Sequence, residues 1–226
     1  MKLILGADLR HLRGETNELA GFVNGAFLRR RRAGGSQLVG GVFTRVAHET
    51  GGGLALDGSA RVDFWNLRDG ERLEHRPATG AVLREDRFRD RAGVEPSLSA
   101  AMSRSVSDAV RVRASAGTAF RLPSINELYR PFRVRNDITE ANAGLDPERF
   151  VSMEAGVEWE PRDTFSLDVS VFHHWIHDAI ANVPITDSRE ASGIAGFVPP
   201  GGSVAQRRNV EEARVWGIEG RARWNP

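Results

Sequence analysis

His173, His174 and His177 are the first residues in this chain to suggest chemistry, because closely spaced imidazoles hold transition metals. They lie in an alternating stretch, where neighbours point to opposite faces, so His173 and His174 cannot share a site. His177 is about 13 Å from His173 along a strand, too far for one ion. No metal site is expected, and interfacial or inward polar positions account for the three rings. Glu127, Glu148 and Glu154 are the candidate catalytic carboxylates. No nucleophile–base pair and no phosphate-cradling glycine loop accompanies them, so no catalytic residue is assigned. Gly51 to Gly53 is a turn, since no helical pattern follows it. The run Arg29 to Arg32 reads as solvated surface, with contact to an anion as the rarer alternative. Neither an enzyme nor a bound cofactor is expected.

The bulk numbers fit this. The chain has 226 residues and a net charge of +1, too balanced to point to nucleic acid. All of the 31 basic residues except Lys2 are arginine, and cysteine is absent, which excludes disulfides and thiolate metal sites. The 24 glycines recur inside alternating runs, as bends and close approaches in a sheet require. No apolar run reaches about 18 residues, so no transmembrane helix is expected.

Period-two alternation is the dominant pattern. It predicts strands over 2–10, 36–48, 54–65, 91–103, 108–118, 149–159, 164–181 and 208–224. Pro96 lacks a ladder donor, so a bulge or a local gap in pairing is expected around it. The connections alternate: 11–35, 66–90, 119–148 and 182–207 are long, whereas 49–53, 104–107 and 160–163 are short. Short turns at one end and long loops at the other are the arrangement of an outer-membrane barrel. Phe165 and Trp175 share a face about 33 Å apart along a strand. A tilt of about 40° reduces that to about 25 Å, the height of an apolar band between aromatic girdles. Trp159, Phe165, Trp175, Trp216 and Trp224 are the predicted membrane-interface aromatics. The expected fold is all-β: an antiparallel transmembrane β-barrel segment of about eight strands, with short periplasmic turns and long extracellular loops.

The longest connection carries an ordered set of boxes: Phe120-Arg121-Leu122-Pro123, then Asn126-Glu127-Leu128-Tyr129, then Asn142-Ala143-Gly144-Leu145-Asp146-Pro147-Glu148, and then a strand with Glu154 and Gly156. This order resembles a signature in the barrel of TonB-dependent outer-membrane receptors. Leu122 stands where alanine is common, and Ala143-Gly144 replaces the usual proline and its neighbour. The resemblance implies energised uptake of a scarce ligand such as a ferric siderophore or cobalamin, in the outer membrane of a Gram-negative bacterium. It implies outer-membrane lipid, the receptor's own plug domain and the TonB complex as partners. Haem receptors of this superfamily typically carry a histidine between the boxes. None lies between Pro123 and Asn142, which argues against haem. Phe120, Arg121, Pro123, Asn126, Glu127, Leu128, Tyr129, Asn142, Leu145, Pro147, Glu148, Glu154 and Gly156 are read as residues that fix the base of the long loop, in preference to direct ligand contacts.

No plug sequence, TonB-box-like peptide or signal peptide is recognised, so residues 1–226 are expected to be a partial receptor barrel with the plug domain absent. Such a piece leaves two sheet edges unpaired and is expected neither to insert stably nor to transport alone. The alternatives are a complete eight-stranded outer-membrane barrel acting as an adhesin or structural protein, and a soluble all-β carbohydrate-binding module. The second of these needs polar residues where Val169, Val171, Trp175, Trp216 and Ile218 line one face.

Overall fold

The structure is a computed structural model, and it describes residues 1–225 apart from Phe197 and Pro199, two residues of the 182–207 connection. It is a single curled sheet. Eight strands are long: β1 Lys2–Val23, β2 Ala26–Glu49, β3 Leu54–His75, β5 Arg91–Ser107, β6 Val110–Arg121, β9 Glu148–Arg162, β10 Phe165–Pro184 and β11 Val204–Trp224. Three are short: β4 Val82–Arg87, β7 Phe132–Val134 and β8 Asp137–Glu140. The sheet order is β1-β2-β3-β5-β6-β9-β10-β11-β8-β7, with β4 on β3. All neighbours are antiparallel except β8, which joins β11 in parallel through Val204↔Ile138 to Gln206↔Glu140. The expectation of about eight strands thus misses three short ones. Among the described residues β1 and β11 do not pair, so the sheet lacks the seam that a closed eight-stranded barrel needs.

Both faces follow from alternation. Leu5, Leu9, Phe64, Leu98, Trp216 and Ile218 stand exposed on the outer face, an apolar surface that water does not stabilise. The inner face carries Arg61 paired across strands with Asp8 and along its own strand with Asp63, and Arg113 paired across strands with Asp168. Inner glycines make room for inner aromatics directly opposite: Gly6↔Phe43, Trp65↔Gly93 and Phe172↔Gly217 are ladder partners. A Cβ at Gly93 or Gly217 would lie 2.5 or 2.7 Å from the facing ring. Rings lying over glycines in this way pin the register.

The tight connections 50–53, 108–109 and 163–164 lie at one end of the sheet, as expected. The long connections are not open loops. Residues 11–35 form the upper half of a hairpin closed by Asn24 and Gly25, at φ 49° and 82°, the positive pair that a type I′ turn requires. Residues 66–90 extend β3 and add β4. Residues 119–148 contain the helix α1, Ile125–Tyr129, followed by β7 and β8, and residues 182–207 contain α2, Ser188–Ala195. At Pro96 the outcome is a gap. The β5–β6 ladder stops at Ser99↔Gly117, whereas Pro96 stays in register with Val62 on β3.

The main buried cluster lies under α1 at the loop end: Val39, Trp65, Leu67, Leu128, Tyr129 and Leu145. The segment between β6 and β9 is therefore a folded cap packed against the wall.

Candidate functional site

The cap is organised by one guanidinium. Arg121 ends β6 and faces Glu148, which begins β9. Its Nε donates to Glu148, while Nη1 and Nη2 donate to Glu127 at 2.9 and 3.2 Å. Glu127 is the third residue of α1 and closes a capping box with Ser124: the Ser124 N–H donates to Glu127 Oε2 at 2.7 Å and the Glu127 N–H to Ser124 Oγ at 3.2 Å. Glu148 Oε1 also accepts from the Ile180 N–H on β10, at 2.6 Å. Burial pushes the Glu127 carboxyl up, but bonds from Arg121 and Ser124 outweigh it and hold it below its ordinary value. The bonds from Glu148 and Glu127 raise the Arg121 pKa further. The Glu127 carboxylate thus stays ionised and acceptor-only, which suits positioning rather than proton transfer.

The other box residues close around this centre. Pro123 is buried and its carbonyl accepts from Gln37 Nε2 at 2.9 Å. Tyr129 lies against Gly35 of β2 and Gly70 of β3, where an added Cβ would come 2.7 and 2.6 Å from its ring, and it stacks on Phe88 at 5.3 Å. Burial pushes its hydroxyl pKa up. Phe120 is partly buried and packs against the main buried cluster, and Pro147 is buried. Asn142 ties three segments: its N–H donates to Glu127 O at 3.0 Å, its Nδ2 to Arg207 O at 3.0 Å, and its Oδ1 accepts from Gly144 N at 2.9 Å. The Asn126 carbonyl accepts from Arg207 at 3.0 Å. Phe120 to Glu148 therefore forms one unit. Glu154 and Gly156 lie apart from it, about 20 Å or more down β9. There Glu154 sits 3.7 Å from Arg113, and the absent Cβ of Gly156 lets Arg113 lie across the strand to reach Asp168, with Nη2 to Oδ1 at 2.9 Å.

An ionic lattice pins the cap to β1, β2 and β3. Glu74 Oε1 accepts from Arg31 at 2.8 Å and from Arg72 at 2.7 Å, and its Oε2 accepts from Arg29 at 2.9 Å. Arg72 also donates to Glu140 on β8 at 2.6 Å. Arg31 donates to Pro131 O at 3.3 Å, and Arg130 pairs with Glu18. Arg31 is only 5% exposed, so the run Arg29 to Arg32 is not simply solvated surface. Alternation turns Arg29 and Arg31 toward Glu74, while Arg32 pairs with Glu71 at 2.7 Å. The sequence signal was there in Arg29/Arg31 and Arg72/Glu74, each two apart and so on one face.

The histidines stay separate. His173 stacks on Trp175 at 3.8 Å; His174, on the inner face, contacts Ser152 Oγ at 2.9 Å; His177 lies 3.5 Å from Glu212. Among the described residues no group of three or more His, Asp or Glu is placed to hold a metal ion. Trp159 meets Phe165 edge-on at 5.9 Å near the short-turn end, where Trp224 is the ladder partner of Phe165, and Trp216 is the partner of His173.

An apolar outer face, an ion-paired inner face and a cap folded into the curl describe a section of a β-barrel wall. The family described as TonB dependent receptor-like, beta-barrel matches residues 2–225, and the chain belongs to that family. The family consists of receptors and transporters, and its barrels are outer-membrane proteins of Gram-negative bacteria. Among solved structures, the Serratia marcescens hemophore receptor HasR, in complex with HasA and heme, superposes with a TM-score of 0.67 at 16% identity, over 99% of this chain and 40% of that one. The ferric yersiniabactin uptake receptor FyuA from Yersinia pestis gives 0.66 at 11% identity, over 98% and 29%. The ferric-catecholate import receptor Fiu from E. coli K12 gives 0.63 at 14%, over 99% and 32%. The chain thus spans less than half the length of each, and the likeness is one of fold. No curated protein matches the sequence.

Proposed function

We propose that this chain is part of the barrel wall of a receptor for energised uptake of a scarce small ligand, a metal chelate such as a ferric siderophore, or cobalamin. The supporting observation is the two-faced wall: apolar side chains outside, and on the inner face arginines and carboxylates surrounding a folded cap. In this reading residues 1–226 are a partial barrel lying in the outer membrane of a Gram-negative bacterium. Lipid covers the outer face, and the receptor's own plug domain and the TonB complex are partners. Trp159, Phe165, Trp175, Trp216 and Trp224 lie at the membrane interfaces. The residues from Phe120 to Glu148 position the cap, because their polar groups are already engaged with one another. Solved receptors of similar fold are described as taking up ferric yersiniabactin and ferric catecholates, and one as binding a hemophore and heme. The absence of histidine between Pro123 and Asn142 favours a ligand other than haem.

The test is deletion of the gene in its host, followed by uptake of iron-labelled siderophores and labelled cobalamin with and without a protonophore. Loss of protonophore-sensitive uptake of one such ligand is expected. Undiminished uptake of all of them, or recovery of the protein in the soluble fraction, overturns the reading.

A further inference from the structure

The β5–β6 ladder stops at Ser99↔Gly117, although β5 runs on to Arg91 and β6 to Arg121. Beyond that rung β6 pairs only with β9 and β5 only with β3. The wall opens there into a cleft of ≈ 790 Å³ lined by Trp65, Phe88, Val94, Asp146, Pro147 and Arg149 among others. Side chains, not backbone pairs, hold its margins. The Leu98 N–H donates to Thr118 Oγ1 at 3.0 Å. Arg149 donates to Glu95 at 2.8 and 2.9 Å, and Arg91 to the Ala143 and Leu145 carbonyls at 3.0 and 2.7 Å.

Leu98 turns its N–H toward β6, so alternation turns the N–H and C=O of Ala92 and Val94 the same way. Pro96, between them, has no N–H. Among the described residues no backbone group meets those of Ala92 and Val94 on that side. The Trp65 indole N–H is also buried without a hydrogen-bond partner. The charged lining residues cancel: Arg89, Arg91 and Arg149 against Asp90, Glu95 and Asp146.

We propose that this cleft binds a short, extended peptide of no net charge, which adds to the free margin of β5 as a further strand. Two consecutive pairing positions, Ala92 and Val94, match a peptide of about four residues. The volume lies within the range of small-ligand sites, roughly 300–1,000 Å³. Balanced lining charges favour an uncharged occupant, since an unpaired charge would be desolvated at a cost. The site lies in the wall and does not rest on the uptake reading above.

The test uses the protein purified in detergent micelles from the outer membrane of its host, grown on nitrogen-15. The probe is a capped tetrapeptide of alternating threonine and valine. Saturable shifts of the Ala92 and Val94 amides and the Trp65 indole are expected, with exchange at those amides slowed about tenfold. The peptide methylated at its backbone nitrogens should do neither. Val94→Pro removes one donor and should abolish binding, and Trp65→Phe should weaken it about tenfold. If Val94→Pro does not fold, the methylated peptide poses the same question to the unaltered chain. Equal effects from both peptides, or no saturation at millimolar concentration, overturn the proposal.

Discussion

Replacing Glu74 with glutamine isolates the ionic lattice that holds the cap. Glu74 is 1% exposed and accepts hydrogen bonds from Arg29, Arg31 and Arg72, and Arg72 carries the link on to Glu140 of β8. Burial alone would push its carboxyl up. The charges of Arg72 and Arg31, with the bonds they donate, reverse this and hold it at about 2 against an ordinary 4.5. That difference, 4.5 minus 2, corresponds to about 3 kcal/mol in favour of the carboxylate. Removing one member of a buried ion pair costs about 3–5 kcal/mol, an independent route to a similar figure. The folded-state pKa lies below the unfolded one, so the stabilisation is present above 4.5 and lost as the pH falls from there toward 2. Native-state hydrogen exchange at Ile138 and Glu140 reads the detachment of β8 directly. In Glu74→Gln, exchange at neutral pH should be about a hundredfold faster, and its acid dependence over that window should disappear, while Val169 and Val171 in the lower wall are unchanged. Acceleration of less than about tenfold, or retained acid dependence, would refute the claim that the lattice fastens the cap.

Other perturbations address single contacts. Gly156→Val should push Arg113 off Asp168 and destabilise the wall by about 1–3 kcal/mol, seen as a lower thermal midpoint in detergent, because a Cβ there lies 2.8 Å from the guanidinium carbon. Gly220→Val, with nothing within 4 Å, is the neutral control. Tyr129 is the only tyrosine, so its ultraviolet titration reports the cap alone. It should titrate above the ordinary 10.0, and the stabilisation it reflects is present below that value and lost as the pH rises through its raised pKa. Gly70→Val, whose Cβ would lie 2.6 Å from the ring, should return it to the ordinary value. Arg121→Lys cannot span Glu127 and Glu148 together, and limited proteolysis within 122–147 should accelerate several-fold, as expected for about 1 kcal/mol at a partly exposed pair.

The lower wall was legible in the sequence because its two faces meet different surroundings. Leu3, Leu5 and Leu9 alternate with Ile4, Asp8 and Arg10, and that contrast marks a strand. The upper halves of the same strands carry polar residues on both faces, so residues 12–23 and 26–35 resemble loop although they pair rung by rung. Two local signals identify what was missed there: Asn24-Gly25 for the hairpin turn, and Ser124-X-X-Glu127 for the start of α1. The signature boxes located the cap, but its anchorage is non-local. Gly35 and Gly70 are far from Tyr129 in sequence, and only the fold shows that their missing side chains receive its ring.

The separation of Glu154 and Gly156 from the other boxes has a geometric reason. Arg121 and Arg113 lie eight residues apart on β6, hence on the same inner face, and their rungs on β9 are Glu148 and Gly156. Each arginine reaches past its rung: Arg121 goes upward to Glu127 in the cap, and Arg113 goes sideways to Asp168 on β10. Strands are about 4.8 Å apart, so an acid two strands away is about 10 Å distant. An arginine closes that span only by lying flat on the sheet, which a side chain on the intervening strand would prevent. Arg61 repeats the device elsewhere, crossing Gly41 of β2 to reach Asp8 of β1. Gly41 and Gly156 therefore serve the charged inner face, and the Glu-X-Gly box marks where β6, β9 and β10 are tied together, as the boxes above it mark where the cap is fastened.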